Sequence, residues 1–177
     1  NMPVTIGDLS ITLPWTRLGG ENPDYIFDQT FIKHQYIAGD GSFIYFTRPS
    51  GEPPFLVVMT KPGTKLEYFE SSPHFTAFIH SGMPAEKEER GTWRMPNTML
   101  NLAAAGEKGS SAEYGFRMEW ANSYDDLRKV LYENGLFDTR VVPGMTLPQG
   151  LTAKFSLHTK NKIDSVTAEY PQQTRIK

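Results

Sequence analysis

Two short segments place a tryptophan close to an arginine in proline-containing sequence, residues 14–17 (PWTR) and 93–97 (WRMPN). A tryptophan ring offers a flat apolar surface to the C–H face of a sugar, while guanidinium and carboxamide groups can hydrogen-bond its hydroxyls. These segments predict carbohydrate contacts at Trp15, Arg17, Trp93, Arg94 and Asn97. The alternative is that each tryptophan closes an end of the core and leaves its arginine at the rim.

Carboxylates are the second group of candidates, because glycoside hydrolysis needs two carboxyl groups facing one sugar. The acidic residues that could serve are Asp24, Asp28, Asp40, Glu113, Glu119 and Asp164. Acidic residues on strand faces and loops are mostly solvated, and no spacing in the sequence pairs two of these. We therefore assign no catalytic residue.

Sequence motifs of other catalytic, nucleotide-binding and metal sites are absent. The chain contains no GxSxG, HExxH, P-loop or GxGxxG motif. Its four histidines, His34, His74, His80 and His158, do not stand at metal-ligand spacing. Residues 106–110 (GEKGS) lack the Walker spacing and are interpreted as a hairpin tip. The sequence predicts that no metal and no cofactor is required.

Composition limits the class of protein. A chain of 177 residues with 38% hydrophobic and 12% aromatic residues suits one domain with a substantial core. The net charge of -2 and the dispersed basic residues argue against nucleic acid as a partner. No apolar stretch approaches the roughly 20 residues that span a bilayer, so no membrane span is predicted. The absence of cysteine excludes disulfides and a thiolate nucleophile.

Short apolar runs between glycines and prolines indicate the elements that must position these side chains. Strands are predicted at residues 9–13, 42–47, 55–60, 65–69, 75–80, 113–120, 151–158 and 163–170. Turn sequences at residues 48–53 and 61–64 predict that the second, third and fourth of these strands form a meander. Residues 96–105 are compatible with a weak helix or with a loop and strand.

Alternation along the predicted strands indicates which side chains form the core. In residues 113–120, Tyr114, Phe116, Met118 and Trp120 share one face, and charged residues occupy the other. We expect this apolar face to be sealed into the core. The predicted core consists of Phe43 and Tyr45, or their opposite-face neighbours, with Val57, Leu66, Phe116 and Trp120.

One segment, residues 123–134, has the pattern of a helix. Ser123 is a suitable N-cap, and an apolar stripe follows it at helical spacing. Gly135 supplies the left-handed residue that ends a helix. One helix among about ten strands favours an all-β fold of two packed antiparallel sheets. No linker divides the sequence, so residues 1–177 are expected to form a single domain.

Five longer strings carry a resemblance to a known family. They are LPWTRLGGENPDYIFDQTFIKHQYIAGDGSFIYFTRPSGEPP, KPGTKLEYF, RGTWRMPNT, LYENGLFDTRVVPGMT and SLHTKNKIDSVTAEYPQQT. Together they resemble a family of large bacterial and fungal proteins of unassigned activity, usually described as six-hairpin-glycosidase-like. The resemblance extends over essentially the whole chain. It implies a sandwich of the galactose-mutarotase-like supersandwich type that precedes an (α/α) toroid.

In such architectures the toroid ordinarily holds the acid and base, while the sandwich packs against it and contributes loops to the sugar cleft. The resemblance therefore implies a non-catalytic sandwich domain of a glycoside-hydrolase-like protein, with the toroid and carbohydrate as partners. It also favours a secreted or periplasmic location. Because the chain stops at residues 173–177 in what resembles mid-sheet, we expect an excised domain or fragment. An autonomous carbohydrate-binding module and a glycosidase with its own carboxylate pair remain the alternatives.

Overall fold

A computed structural model describes residues 2–13, 32–37, 39–70, 75–82, 97–144, 146–148 and 150–177. In this part the chain consists mainly of strands in several open antiparallel sheets, with one short helix. The prediction of an all-β antiparallel sandwich is confirmed. The chain forms two compact units, Asn1–Val130 and Leu131–Lys177.

The elements follow one another along the chain in a single order. The strands of the first unit are β1 (Val4–Ile6), β2 (Asp8–Leu13), β3 (Ile32–Tyr36), β4 (Phe43–Thr47), β5 (Phe55–Thr60), β6 (Tyr68–Glu70), β7 (Phe75–Ser81), β8 (Leu100–Leu102) and β9 (Phe116–Ala121). The helix α1 (Tyr124–Glu133) comes next, followed by β10 (Asp138–Val142) and β11 (Lys154–His158).

Two sheets of the first unit build the sandwich. The four-stranded sheet has the order β3-β4-β5-β9, and the three-stranded sheet has the order β2-β7-β6. The short strands β1 and β8 pair separately, and β10 and β11 form a hairpin in the second unit. All of these pairings are antiparallel.

The core lies between the faces of these two sheets. The four-stranded sheet contributes the buried residues Ile44, Phe46 and Val58. The three-stranded sheet contributes Phe69, Ala77 and Ile79, and Leu66 joins them from the segment just before β6. Each large side chain buried here removes apolar surface worth about 1.5–3 kcal/mol from water. Packing of the inner faces therefore stabilises the first unit. The opposite face of the four-stranded sheet also contributes, because Phe43, Phe55, Val57 and Met59 are buried there.

The predicted meander is wrong in its last strand. The hairpin of β4 and β5 is present, and Pro62 and Gly63 (φ +85°) form the turn that follows it. After this turn the chain crosses to the other sheet, where β6 pairs with β7, and β9 takes the place beside β5. The buried Thr64 holds this arrangement, because its Oγ1 accepts a 2.8 Å hydrogen bond from Gly115 N. A tight turn fixes the local chain direction but not the next pairing partner.

The predicted core is confirmed except at one end of β9. Phe43, Val57 and Leu66 are buried, and Tyr45 and Phe116 are half-buried. Trp120, which the alternation placed in the core, is 63% exposed. It lies opposite Leu56 on the inner face of its sheet, but β9 is an edge strand of that sheet in the described part of the chain. A position on the inner face is buried only where the opposite layer covers it.

The predicted helix is confirmed at its N-terminus. Ser123 Oγ accepts from Asp126 N at 3.0 Å, and Asp126 Oδ2 accepts from Asn122 N at 2.9 Å. These bonds satisfy two backbone donors at the start of the helix, as in a capping box.

The helix also ends where the sequence predicted. Gly135 has a φ of +72°, and its N–H donates to Tyr132 O while Leu136 N donates to Leu131 O. This pair of bonds is the Schellman motif, accompanied by burial of both leucines. Asn161 Nδ2 donates to Gly135 O at 2.8 Å, and Lys160 Nζ donates to Glu133 O, so the segment after β11 satisfies further carbonyls.

Three strands escaped the sequence analysis, and one predicted strand is wrong. The missed strands are β1, β3 and β10, which are short or only partly buried. Residues 163–170 form no strand, because Ile163, Val166 and Tyr170 lack the period of two and stay exposed. Residues 96–105 contain the short strand β8, in keeping with the loop-and-strand interpretation where they are described.

Candidate functional site

Glu67 is a fully buried carboxylate at the start of β6, with 1% of its surface exposed. Its Oε2 accepts three hydrogen bonds, from Ser81 N (2.8 Å), Ser81 Oγ (2.9 Å) and Thr98 N (2.9 Å). Its Oε1 accepts from Thr98 Oγ1 at 2.5 Å. Because four donors surround one carboxylate, its charge is stabilised without a basic partner among the described residues.

A chain of hydrogen-bonded side chains leads from this carboxylate through the exposed Thr98 to the half-buried His80 and Tyr114. Thr98 Oγ1 lies 2.7 Å from His80 Nδ1, and His80 Nε2 lies 2.6 Å from Tyr114 Oη. The rings of His80 and Tyr114 also meet edge to face, with centroids 5.5 Å apart. We call Glu67, Ser81, Thr98, His80 and Tyr114 the Glu67 network.

The strands bring the members of the Glu67 network together. His80 and Ser81 are the last two residues of β7. Glu67 is held beside the same strand because its N–H donates to Phe78 O. Thr98 lies just before β8, and Tyr114 lies just before β9 and packs against the core. The network therefore ties four separate parts of the chain to one buried charge.

One arrangement of hydrogen atoms satisfies every bond in the chain when His80 is neutral. The single hydroxyl proton of Thr98 is donated to Glu67, so Thr98 Oγ1 must accept from His80 Nδ1–H. His80 Nε2 then carries no proton and accepts from the hydroxyl of Tyr114. Burial and the nearby Glu67 charge raise the pKa of Tyr114, in that order, which keeps this hydroxyl protonated.

Of the predicted carbohydrate contacts, Asn97 is the one that the structure describes. It is exposed and directly precedes Thr98, whose N–H and hydroxyl are both held by Glu67. Trp15, Arg17, Trp93 and Arg94 lie outside the described residues. Asn97 is thus next to the Glu67 network in the chain.

The candidate carboxylates that the structure describes have local partners or are exposed. Asp40 binds Lys65 at 2.9 Å, Glu119 binds Arg117 at 2.6 Å, and Asp164 binds Lys162 at 2.8 Å. Glu113 is exposed, and Asp24 and Asp28 lie outside the described residues. Each described carboxylate therefore has a local surface environment of its own.

A second feature is the exposed apolar end of β9. Trp120 is the most exposed aromatic side chain among the described residues, and Met118 is 53% exposed two positions earlier on the same face. The backbone beneath them is held by the ladder to Leu56 and Val58 of β5. We call Trp120 and Met118 the β9 surface.

Sequence reasoning missed both features, for different reasons. Glu67 is the single charged residue in the otherwise apolar run Leu66–Phe69, and a carboxylate in such a run is seldom buried without several donors. That position was the available signal, but its donors come from residues 81 and 98. The β9 surface was missed because alternation assigns a side chain to a face and not to a covering layer.

Two further classes of feature are missing from the described residues. Among them, no group of three or more histidine, aspartate or glutamate side chains is arranged to hold a metal ion. No helix in the same ranges has the length and apolar character to cross a membrane.

Comparisons with known proteins provide no relative. No protein-family model, curated protein or solved structure matches the chain.

Proposed function

We propose that the chain is the non-catalytic sandwich domain of a glycoside-hydrolase-like protein, that it supports a separate (α/α) toroid domain, and that it contacts glycan through exposed aromatic rings. The observation that carries this proposal is the 63% exposed ring of Trp120. A large indole left in water on a sheet offers the apolar platform on which a sugar ring stacks. Trp15 and Trp93 are candidates for the same reason, because each supplies an indole ring on which a sugar could stack.

The strand that carries Trp120 favours binding because it is already ordered. All six residues of β9 pair with β5, so the backbone under the ring does not need to be fixed when a ligand arrives. A rigid aromatic side chain with few rotatable bonds also loses little entropy on contact. A weak ligand such as a single sugar depends on such preorganisation.

The state of the carboxylates favours a supporting role over hydrolysis by this chain. The most deeply buried one, Glu67, has its oxygens occupied by four donors that hold the fold together. Retaining and inverting mechanisms both require two carboxyl groups directed at one sugar. Of the candidate carboxylates, Asp40, Glu119 and Asp164 lie beside lysine or arginine, and Glu113 is exposed.

A second candidate role for the β9 surface is the docking of the toroid domain itself. Met118 favours this role, because a methionine adds little to sugar stacking but is enriched with tryptophan at protein interfaces. The two roles differ in their dependence on Met118. Sugar stacking requires Trp120 alone, whereas docking requires both side chains.

The test is glycan binding by the whole chain, measured by affinity electrophoresis on a panel of soluble polysaccharides, with Trp120→Ala compared with Met118→Ala. Wild type should bind with about -4 to -6 kcal/mol, as expected for an exposed platform. Trp120→Ala should abolish the retardation, and Met118→Ala should leave it within about twofold. If Trp120→Ala is retarded as strongly as the wild type, the proposed sugar platform is refuted. Turnover of a polysaccharide by the chain alone would refute the non-catalytic role.

A further inference from the structure

Tyr114 is the last member of the bonded chain in the Glu67 network. Glu67 accepts four bonds, Thr98 Oγ1 bonds to both Glu67 and His80, and both nitrogens of His80 are used. With His80 in the Nδ1–H form, Tyr114 Oη donates to His80 Nε2 and receives no hydrogen bond from any described residue. A phenolic oxygen that donates can still accept.

We propose that Tyr114 is the recognition end of this relay and binds a hydroxyl donor of a neutral polyhydroxyl ligand. The inference rests on the proposed contact with carbohydrate and adds a second binding site to the β9 surface. Each bond of the relay polarises the next one, so a donor arriving at Tyr114 strengthens a chain that ends on a buried charge. Glu67 and His80 act as positioning residues.

The chemistry of the network selects the ligand class. The open valence of Tyr114 is an acceptor, so it requires an O–H or N–H donor. Glu67 is bonded to Tyr114 through Thr98 and His80, and its charge disfavours an anionic group at Tyr114. Burial first, and this charge second, raise the pKa of the Tyr114 hydroxyl. A neutral sugar meets these requirements, and a sugar acid does not.

The experiment is a titration of the whole chain with methyl β-glucoside, and separately with the methyl glucuronide, followed by long-range proton–nitrogen NMR of the His80 ring. In the free protein, the hydrogen-bond arrangement predicts a proton on His80 Nδ1. The glucoside should shift the His80 Nε2 and Tyr114 signals saturably at a Kd of about 1 mM, and the glucuronide should bind about tenfold more weakly. Tyr114→Phe should weaken the glucoside response about tenfold with an unchanged unfolding midpoint.

Two variants keep the result interpretable if Tyr114→Phe is poorly folded. Thr98→Ser retains the relaying hydroxyl and should retain the response, whereas Thr98→Val removes the hydroxyl and should release His80 from the Nδ1–H form. A proton on Nε2 in the wild type, or equal responses in wild type and Tyr114→Phe, would overturn the proposal. The Trp120 indole signal reports the β9 surface in the same titration, so each of the two sites succeeds or fails separately.

Discussion

Strands β5 and β9 have similar lengths and lie side by side in one sheet, yet the sequence predicts the environment of only one of them. β5 lies between β4 and β9, and on the face that it shares with Met118 and Trp120 its Val58 is buried and its Leu56 is half-buried. β9 lies at the edge of the described sheet, and Met118 and Trp120 remain in water. Alternation specifies the face of a sheet, and the position of the strand within the fold decides whether that face is covered.

The two ends of β9 repeat this contrast within one strand. At its start, Tyr114 packs against the core and joins the Glu67 network. At its end, Trp120 is 63% exposed. Substitutions at the first end should therefore affect folding as well as binding. Substitutions at the second end should affect binding almost alone.

The largest expected effect is the loss of Phe55 from the central strand. Phe55→Ala removes a side chain with 0% exposure and should lower the free energy of unfolding by about 3–5 kcal/mol. Phe155→Ala is the matched control, because Phe155 is a strand residue that is 49% exposed, and it should change stability by less than about 1 kcal/mol. Urea denaturation followed by tryptophan fluorescence measures the free energy of unfolding of both variants. Similar losses of stability in the two would contradict the expected difference between buried and exposed strand positions.

A smaller effect is expected from the charge that anchors the first end of β9. Glu67→Gln keeps the shape but turns one acceptor into a donor that faces existing donors, so it should cost about 1–3 kcal/mol. Glu113→Gln, at an exposed site one residue before Tyr114, should stay within about 0.5 kcal/mol. Chemical denaturation of the two variants compares them directly. Equal stabilities would show that the network does not support the fold.

The smallest effect concerns β3, the opposite edge of the same sheet. Burial lowers the pKa of His34, whose ring stacks on Tyr45 at 4.4 Å. The folded state therefore binds fewer protons than the unfolded state, and stability should fall as pH falls below about 6.5. His34→Gln should flatten the decline of the unfolding free energy between pH 7 and 5, measured by denaturation in matched buffers. If the unfolding free energy of His34→Gln depends on pH as steeply as that of the wild type, His34 is not protected from water at this edge.

The fold was largely predictable where local chemistry determines structure, and the site was not. Ser123 and Gly135 fixed both ends of the helix, because caps depend on neighbours in sequence. The crossing after Pro62 and Gly63, the burial of Glu67 and the exposure of Trp120 all depend on residues far along the chain. Asn97 is exposed, but the bond that holds the neighbouring Thr98 N–H to Glu67 joins residues 31 positions apart and has no signal in the sequence.

The central claim is that the exposed end of β9 serves binding and contributes little to the fold. Trp120→Ala tests it most directly, when the free energy of unfolding and polysaccharide retardation are measured on the same preparation. The account predicts a stability loss below about 1 kcal/mol together with loss of glycan binding. A loss of about 3–5 kcal/mol, as for a buried tryptophan, or full retention of glycan binding would contradict it.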